Sequence, residues 1–168
     1  DLDGILRQIH QAGIRNIVAL RGDPPKGETE FVQPKDGYAH GSELVAHIRN
    51  REKTAGIGPF GIAVAGYPEK HIEAPNMQSD LAHLKEKVDA GADCVVTQLF
   101  YDNRHYFEFV RQARALGITV PIVPGLLPIL SAKQVMRITA MCGSCLPDDL
   151  ARELELAGDD PAKGEEIG

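Results

Sequence analysis

The sequence predicts an α/β protein built on a parallel sheet, and three observations carry that prediction. Four short apolar runs, at 16–20, 61–65, 94–99 and 120–123, alternate with longer segments of helical periodicity, the pattern of strand–helix repeats. Three helical segments close on a glycine just ahead of a run, at Ala12-Gly-Ile14, Ala90-Gly-Ala92 and Leu116-Gly-Ile118. All four runs lead into polar or turn-forming residues, which gathers candidate chemistry at one edge of the sheet.

In chain order, Leu2, Ile5, Leu6 and Ile9 fall at the i, i+3, i+4, i+7 spacing of an amphipathic helix, and Gly13 stands where its C-cap belongs. The run at 16–20 is too short for a helix, reads as a buried strand, and ends in Arg21-Gly-Asp-Pro-Pro25. Residues 21–36 form a long polar loop, a kind of segment that in compact domains is usually functional or disordered. A helix from about Tyr38 carries Leu44, Val45 and Ile48 on one face, and the strand 61–65 then ends in Gly66-Tyr-Pro-Glu-Lys-His71. The next helix, about 76–90, turns Leu81, Leu84 and Val88 inward. Strand 94–99 ends in Phe100-Tyr-Asp-Asn103, where Asn103 can cap a helix with Tyr106, Phe107, Val110 and Ala113 inside. Strand 120–123 leads into Pro124-Gly-Leu-Leu-Pro128, Ser131 opens a helix through Met141, and a short helix covers 147–156. The acidic tail at 157–168 is expected to be mobile.

With 168 residues, 43% hydrophobic and 25% charged, the chain can bury a core as one soluble domain. A net charge of -6 argues against nucleic acid or an anionic membrane surface as partner. No apolar run approaches a membrane span, and three cysteines do not make a disulfide framework, so a reducing cytoplasm is the expected setting. The strand–helix alternation fits either an open doubly wound sheet or a (β/α)8 barrel. The common polar edge favours the barrel, of which about four β/α units are present, since a whole barrel takes roughly 250 residues.

Three local patterns invite readings that their sequence context argues against. Gly56-Ile-Gly58-Pro-Phe-Gly61 has the letters of a dinucleotide fingerprint, but it follows a helix and opens a strand, so it reads as a connecting turn. Cys142-Gly-Ser-Cys145 lies at a helix end rather than a helix start, which argues against a redox or zinc role. The six histidines show no metal-binding spacing, and no metal is expected.

Five stretches together are more specific: 16–25, Ala63-Val-Ala-Gly-Tyr-Pro-Glu-Lys-His71, 80–93, Thr97-Gln-Leu-Phe-Tyr-Asp102 and Pro121-Ile-Val-Pro-Gly-Leu-Leu-Pro128. In this order and spacing they resemble the methylenetetrahydrofolate reductases, FAD-dependent barrel enzymes of one-carbon metabolism. The resemblance implies that residues 1–156 form strands four to seven of the family's TIM barrel, with 157–168 leading to a last strand. It also implies that the strand bearing the family's catalytic glutamate is absent from this sequence, so this chain alone is expected to be inactive.

Roles follow from the same resemblance. Asp23 would lie beside the flavin pyrimidine ring, tune the flavin potential and bond the folate pterin. Arg21 and Gly22 would line the FAD site, with Tyr38 and Ala39 touching the cofactor and Tyr67, His71 and Ala74 contacting the flavin. Asp80, His83 and Lys87 share one helix face by their spacing; the resemblance assigns that face to the adenosine and phosphate part of FAD. Glu86 stands at a family position that is often basic and is left out of the set. Gln98 is unusual on plain physics, because a neutral amide in an apolar strand needs partners. The family uses it for both NAD(P)H and folate, and Gln134 matches a further folate contact. The implied reaction passes hydride from NAD(P)H through FAD to 5,10-methylenetetrahydrofolate by ping-pong kinetics, in a homo-oligomer. A different phosphate-binding barrel enzyme and a non-catalytic FAD-binding chain are the competing readings.

Overall fold

The computed structural model describes residues 1–22, 31–35, 37–158, 163 and 166–167. Asp23 lies outside the described residues, as does most of the acidic tail.

Four strands, β1 (Asn16–Ala19), β2 (Gly61–Gly66), β3 (Cys94–Leu99) and β4 (Ile122–Gly125), form a parallel sheet in the order β1-β2-β3-β4. The helices are α1 (Leu2–Gln11), α2 (Gly41–Ala55), α3 (Met77–Asp89), α4 (Asn103–Ala115), α5 (Ala132–Cys142) and α6 (Asp148–Ala157). Strands that pair in sequence order, joined by crossovers of one hand, carry their helices on one face of the sheet. Burial agrees. Ala19, Ile62, Val64 and Val95 are covered, while on the other face Val18 is 57% and Val123 46% exposed. A doubly wound sheet reverses its order and covers both faces; this arrangement is compatible with part of a barrel.

Local chemistry explains the element ends. Asn76 caps α3 by accepting the Ser79 N–H at 2.8 Å. The helix expected from about Tyr38 begins instead at Gly41, because His40 is extended (φ -132°) and its N–H is held by the Glu43 carboxylate at 2.9 Å. Asp102, not Asn103, caps α4, accepting the Arg104 N–H at 2.9 Å. Inside α4 the buried aromatic is Phe109, and Phe107 is 66% exposed. From Tyr106 the set 106, 109, 110, 113 follows helical spacing more closely than one containing 107. Phe109 also fills the space that Gly66 leaves: a Cβ on Gly66 would sit 2.8 Å from its ring. In α1, Leu6 is buried but Ile5 is 55% exposed, being at the edge of the apolar stripe.

Strand β4 lies two residues later than expected. Its register pairs Ile122 with Val95 and Gly125 with Leu99. Thr97 Oγ1 accepts the Gly125 N–H at 3.0 Å, and a side chain at 125 would collide with the Thr97 carbonyl. The strand can therefore continue past Pro124 only because residue 125 is glycine.

The main core gathers Val45, Ile48, Ile62, Val64, Leu84, Val95, Phe109 and Ile118 between sheet and helices. A smaller cluster of Ile129, Ala132, Val135 and Leu154 lies where α5 meets α6. At the amino edge of the sheet, Arg49 of α2 bonds Glu52 at 2.9 Å, Asp93 at 2.5 Å, and the carbonyls of Phe60 at 2.8 Å and Gly91 at 2.9 Å. Glu52 in turn accepts the Phe60 N–H, and Asp93 the Ile62 N–H, both at 2.7 Å. The glycine-rich stretch 56–61 is thus the clasped connection from α2 to β2. No helix among the described residues is long and apolar enough to cross a membrane.

Candidate functional site

Strands β1, β2 and β3 deliver Arg21, Tyr67 and Gln98 to the same carboxyl edge, and a cleft opens there. It has two adjoining compartments, of about 400 Å³ and 360 Å³, which share walls at Leu20, Arg21, Ala65, Tyr67 and His71. The first runs towards α3 and is lined by Ala74, Asp80, His83 and Lys87. The second lies on the uncovered face of the sheet and ends at Gln98 and Gly22. An elongated ligand with a charged part and a flatter, less polar part matches that shape.

The α3 end carries the strongest electrostatics. Lys87 points its ammonium at the Ala65 carbonyl at 2.6 Å and lies over the Tyr67 ring, 5.7 Å from its centroid. Among the described residues it makes no direct ion pair. Burial lowers its pKa, and the negative charge of Asp80 opposes that only in part. Asp80 is itself buried, accepting the His71 N–H at 3.1 Å. Burial raises its pKa against the opposing pulls of that bond and of Lys87. Two opposite charges thus line the same compartment, and the Lys87 ammonium is the one that could meet an anion there.

The loop between β2 and α3 is braced by its own side chains. Lys70 adopts a left-handed φ of 76° and donates to the Ala74 carbonyl at 2.9 Å and to the His71 carbonyl at 3.3 Å. His71 meets Tyr67 edge-on at 4.6 Å between centroids, and its Nδ1 accepts the Glu73 N–H at 3.1 Å. Across the cleft Arg21 grips Glu73 through two bonds of 2.8 and 2.7 Å and stacks on Phe31 at 4.4 Å. The Arg21 bonds hold the Glu73 carboxyl below its ordinary range.

Eight expected residues therefore meet around one cleft: Arg21, Tyr67, His71, Ala74, Asp80, His83, Lys87 and Gln98, with Gly22 at its rim. Gln98 departs in one respect. Its Oε1 accepts the Leu99 N–H at 2.9 Å, which leaves its amide donor for a ligand. Tyr38 and Ala39 line neither compartment; the Tyr38 hydroxyl is bonded to His47 Nδ1 at 2.8 Å, and His47 Nε2 to Asp3 at 2.9 Å. Gln134 stands in the first turn of α5, outside both compartments, with Oε1 buried and unpartnered among the described residues. Sequence reasoning missed His40, which stacks on His83 at 6.5 Å, and Glu73. No spacing rule marks an acid in a polar loop, but its place two residues after His71 was a signal within reach. Glu86, left out of the set, does line the first compartment.

A family model described as methylenetetrahydrofolate reductase matches residues 1–168. The chain is 47% identical over 163 residues to methylenetetrahydrofolate reductase (NADH) 1 of Arabidopsis thaliana, covering 92% of this chain and 27% of that protein. It is 40% identical over 167 residues to the 5,10-methylenetetrahydrofolate reductase of Pectobacterium carotovorum, covering 97% and 52%. The chain thus spans about a quarter of its plant relative and half of its bacterial one. A solved structure of an uncharacterized protein from Clostridium thermocellum, described as binding two copies of 5-methyl-5,6,7,8-tetrahydrofolic acid, superposes with a TM-score of 0.53. That match covers 74% of this chain and 43% of the other at 18% identity, which speaks for the fold alone.

Proposed function

The chain belongs to the methylenetetrahydrofolate reductase family, and we propose that it forms strands four to seven of the family barrel and holds the FAD of a methylenetetrahydrofolate reductase. The reaction of the whole protein would be reduction of 5,10-methylenetetrahydrofolate to 5-methyltetrahydrofolate by NAD(P)H. A bound flavin would supply the two-electron carrier between the two substrates. The observation that carries this reading is the half-buried Lys87 ammonium facing the cleft without a direct ion-pair partner among the described residues.

The residues present fit that group. Lys87 gives a dry point charge for a phosphate oxygen, and Arg21 gives a planar fork suited to a second. His83 and His40 stack in parallel at the mouth of the same compartment, a surface for the adenosine end. Gln98, on the uncovered sheet face, presents an amide donor where a flat ring and then either substrate would lie. Asp23 is proposed to tune the flavin potential and bond the folate pterin, the role the family gives the residue at that position. The test is a titration with FAD followed by flavin fluorescence, with ADP as competitor. Saturable quenching reversed by ADP is the expected result; absence of binding would remove the flavin reading while leaving the family and fold intact.

Glu73 makes a second measurable point. It occupies Arg21 with a carboxylate, so an incoming diphosphate has to displace it. The pair is partly exposed, with side chains 22% and 50% accessible, and its strength is of the order of 1 kcal/mol or less. Glu73→Gln keeps the shape and removes the competing charge. FAD affinity should therefore rise by about threefold to fivefold in the same titration; an unchanged or weaker affinity would mean that Glu73 itself serves the ligand.

A further inference from the structure

The Cys142-Gly-Ser-Cys145 stretch meets the cleft from the far side. Cys142 is the last residue of α5, and Gly143 ends the helix in a left-handed conformation (φ 70°), its N–H bonded to the Thr139 carbonyl at 2.9 Å. The next two residues reach across to the site. Ser144 Oγ donates to the Leu99 carbonyl at 2.9 Å, and the Cys145 N–H donates to Glu69 Oε2 at 2.8 Å. A small cavity brings Cys142 and Ser144 together with Tyr67, Lys70 and Gln98. This one turn therefore ties down the end of β3 beside Gln98 and the loop that carries Tyr67 and His71.

The tie to Glu69 matters energetically. The other oxygen of that carboxylate, Oε1, is buried and has no hydrogen-bond partner among the described residues. The Cys145 N–H is thus the hydrogen-bond donor that this carboxylate meets among the described residues. Both cysteines are thiols rather than a disulfide; Cys145 is exposed and Cys142 half-buried.

We propose that Cys142 and Cys145 are a reversible dithiol–disulfide switch that loosens the flavin cleft when oxidised; the consequence for the cleft rests on the flavin reading above. The reaction partner is a small soluble disulfide of the glutathione class. The exposed Cys145 thiolate attacks one sulfur of that disulfide, forming a mixed disulfide and expelling one reagent thiolate. Cys142 then attacks the Cys145 sulfur and expels the second. Two electrons pass to the reagent, which leaves as two thiols carrying the two protons lost by the protein. Glycine between the cysteines supplies the backbone freedom to close the ring. Closure draws Cys145 towards the end of α5, while its N–H is bonded to Glu69. The bond to Glu69 is the contact given up, and the Tyr67–His71 loop loses its anchor.

The experiment equilibrates the protein in glutathione buffers from fully reduced to fully oxidised, traps thiols by alkylation, and weighs the peptides. A peptide carrying both Cys142 and Cys145, lighter by two hydrogens and unalkylated, is expected, with Cys94 still alkylated as internal control. FAD affinity of the oxidised form should be weaker by about tenfold, the scale of one lost hydrogen bond to a charged group. Cys145→Ser should bind as the reduced protein does in every buffer. Alkylation of both thiols even in the most oxidising buffer overturns the proposal. So does a disulfide that forms while neither FAD affinity nor amide hydrogen exchange at 67–74 changes. If no form binds FAD, the flavin reading fails by itself, and peptide mass with exchange at 67–74 still decides the switch.

Discussion

Replacing Lys87 with methionine is expected to weaken FAD binding by about a hundredfold while changing the stability of the fold by no more than about 1 kcal/mol, because relief of the desolvated ammonium offsets the loss of Asp80's counter-charge. The two halves of that expectation have one cause. The half-buried ammonium is held against the Ala65 carbonyl and the Tyr67 ring, and its lowered pKa reflects the cost of keeping it charged there. Methionine fills a similar volume without the cost, but gives a phosphate nothing to meet. A lysine that served only the fold would lose stability and binding together. Asp80 supplies the pH signature. Its native pKa lies above the ordinary 3.8, so the folded state holds more protons than the unfolded chain just above that value. Stability from the neutral acid is complete below pH 3.8 and is lost as pH rises through the native pKa. Chemical denaturation measured across that window should show stability falling with pH at this site. Asp80→Asn should remove the fall, and Lys87→Met should extend it to higher pH, because the cation that favours ionised Asp80 is gone. A stability loss in Lys87→Met with FAD affinity intact would reverse the assignment.

How much of this was legible beforehand depends on the kind of contact involved. Strand β3 was readable to the residue because its apolar run is bounded by turn chemistry on both sides. Strand β4 was not, since its end is set by the fit of Gly125 against the Thr97 carbonyl, a contact between strands that no local pattern contains. The choice between Phe107 and Phe109 was likewise decided elsewhere, by the gap over Gly66. In the cleft, spacing put Asp80, His83 and Lys87 on one helix face, and a family resemblance suggested what that face is for. Spacing could not tell that Asp80 would be buried and Lys87 half-buried while His83 stays exposed, because burial depends on which strand end the face packs against. Glu73 was hidden for a similar reason: its partner Arg21 is 52 residues away along the chain. The turn at 142–145 was read correctly as a helix end, but its reach to Glu69 and Leu99 is tertiary and left no trace in the local sequence.

The second large effect belongs to the opposite edge of the sheet. Arg49→Met should lower the free energy of unfolding by about 2 kcal/mol, below the scale for stripping one partner from a fully buried ion pair because this network is only half-buried. Arg49 is only 20% accessible and Glu52 16%, so their carboxylate–guanidinium contact is poorly replaced by water; Asp93, 55% accessible, should contribute less of the loss. The Phe60 and Gly91 carbonyls lose a donor in the same change. Arg49→Lys should recover less than half, because one ammonium cannot reproduce a fork whose Nε, Nη1 and Nη2 each hold a different partner. Urea unfolding of the three proteins reads these differences directly. The division of labour between the two edges adds a sharper requirement. The Arg49 clasp joins the starts of β2 and β3, whereas the cleft lies at their carboxyl ends, where barrel proteins keep their chemistry. Under conditions where Arg49→Met remains folded, its FAD affinity should match that of the unaltered chain, and its stability loss should add to the change caused by Lys87→Met without a coupling term. A folded Arg49→Met protein that no longer binds FAD would mean that the amino edge reaches the cleft through the strands, and the separation of stability from binding proposed for this sheet would fall.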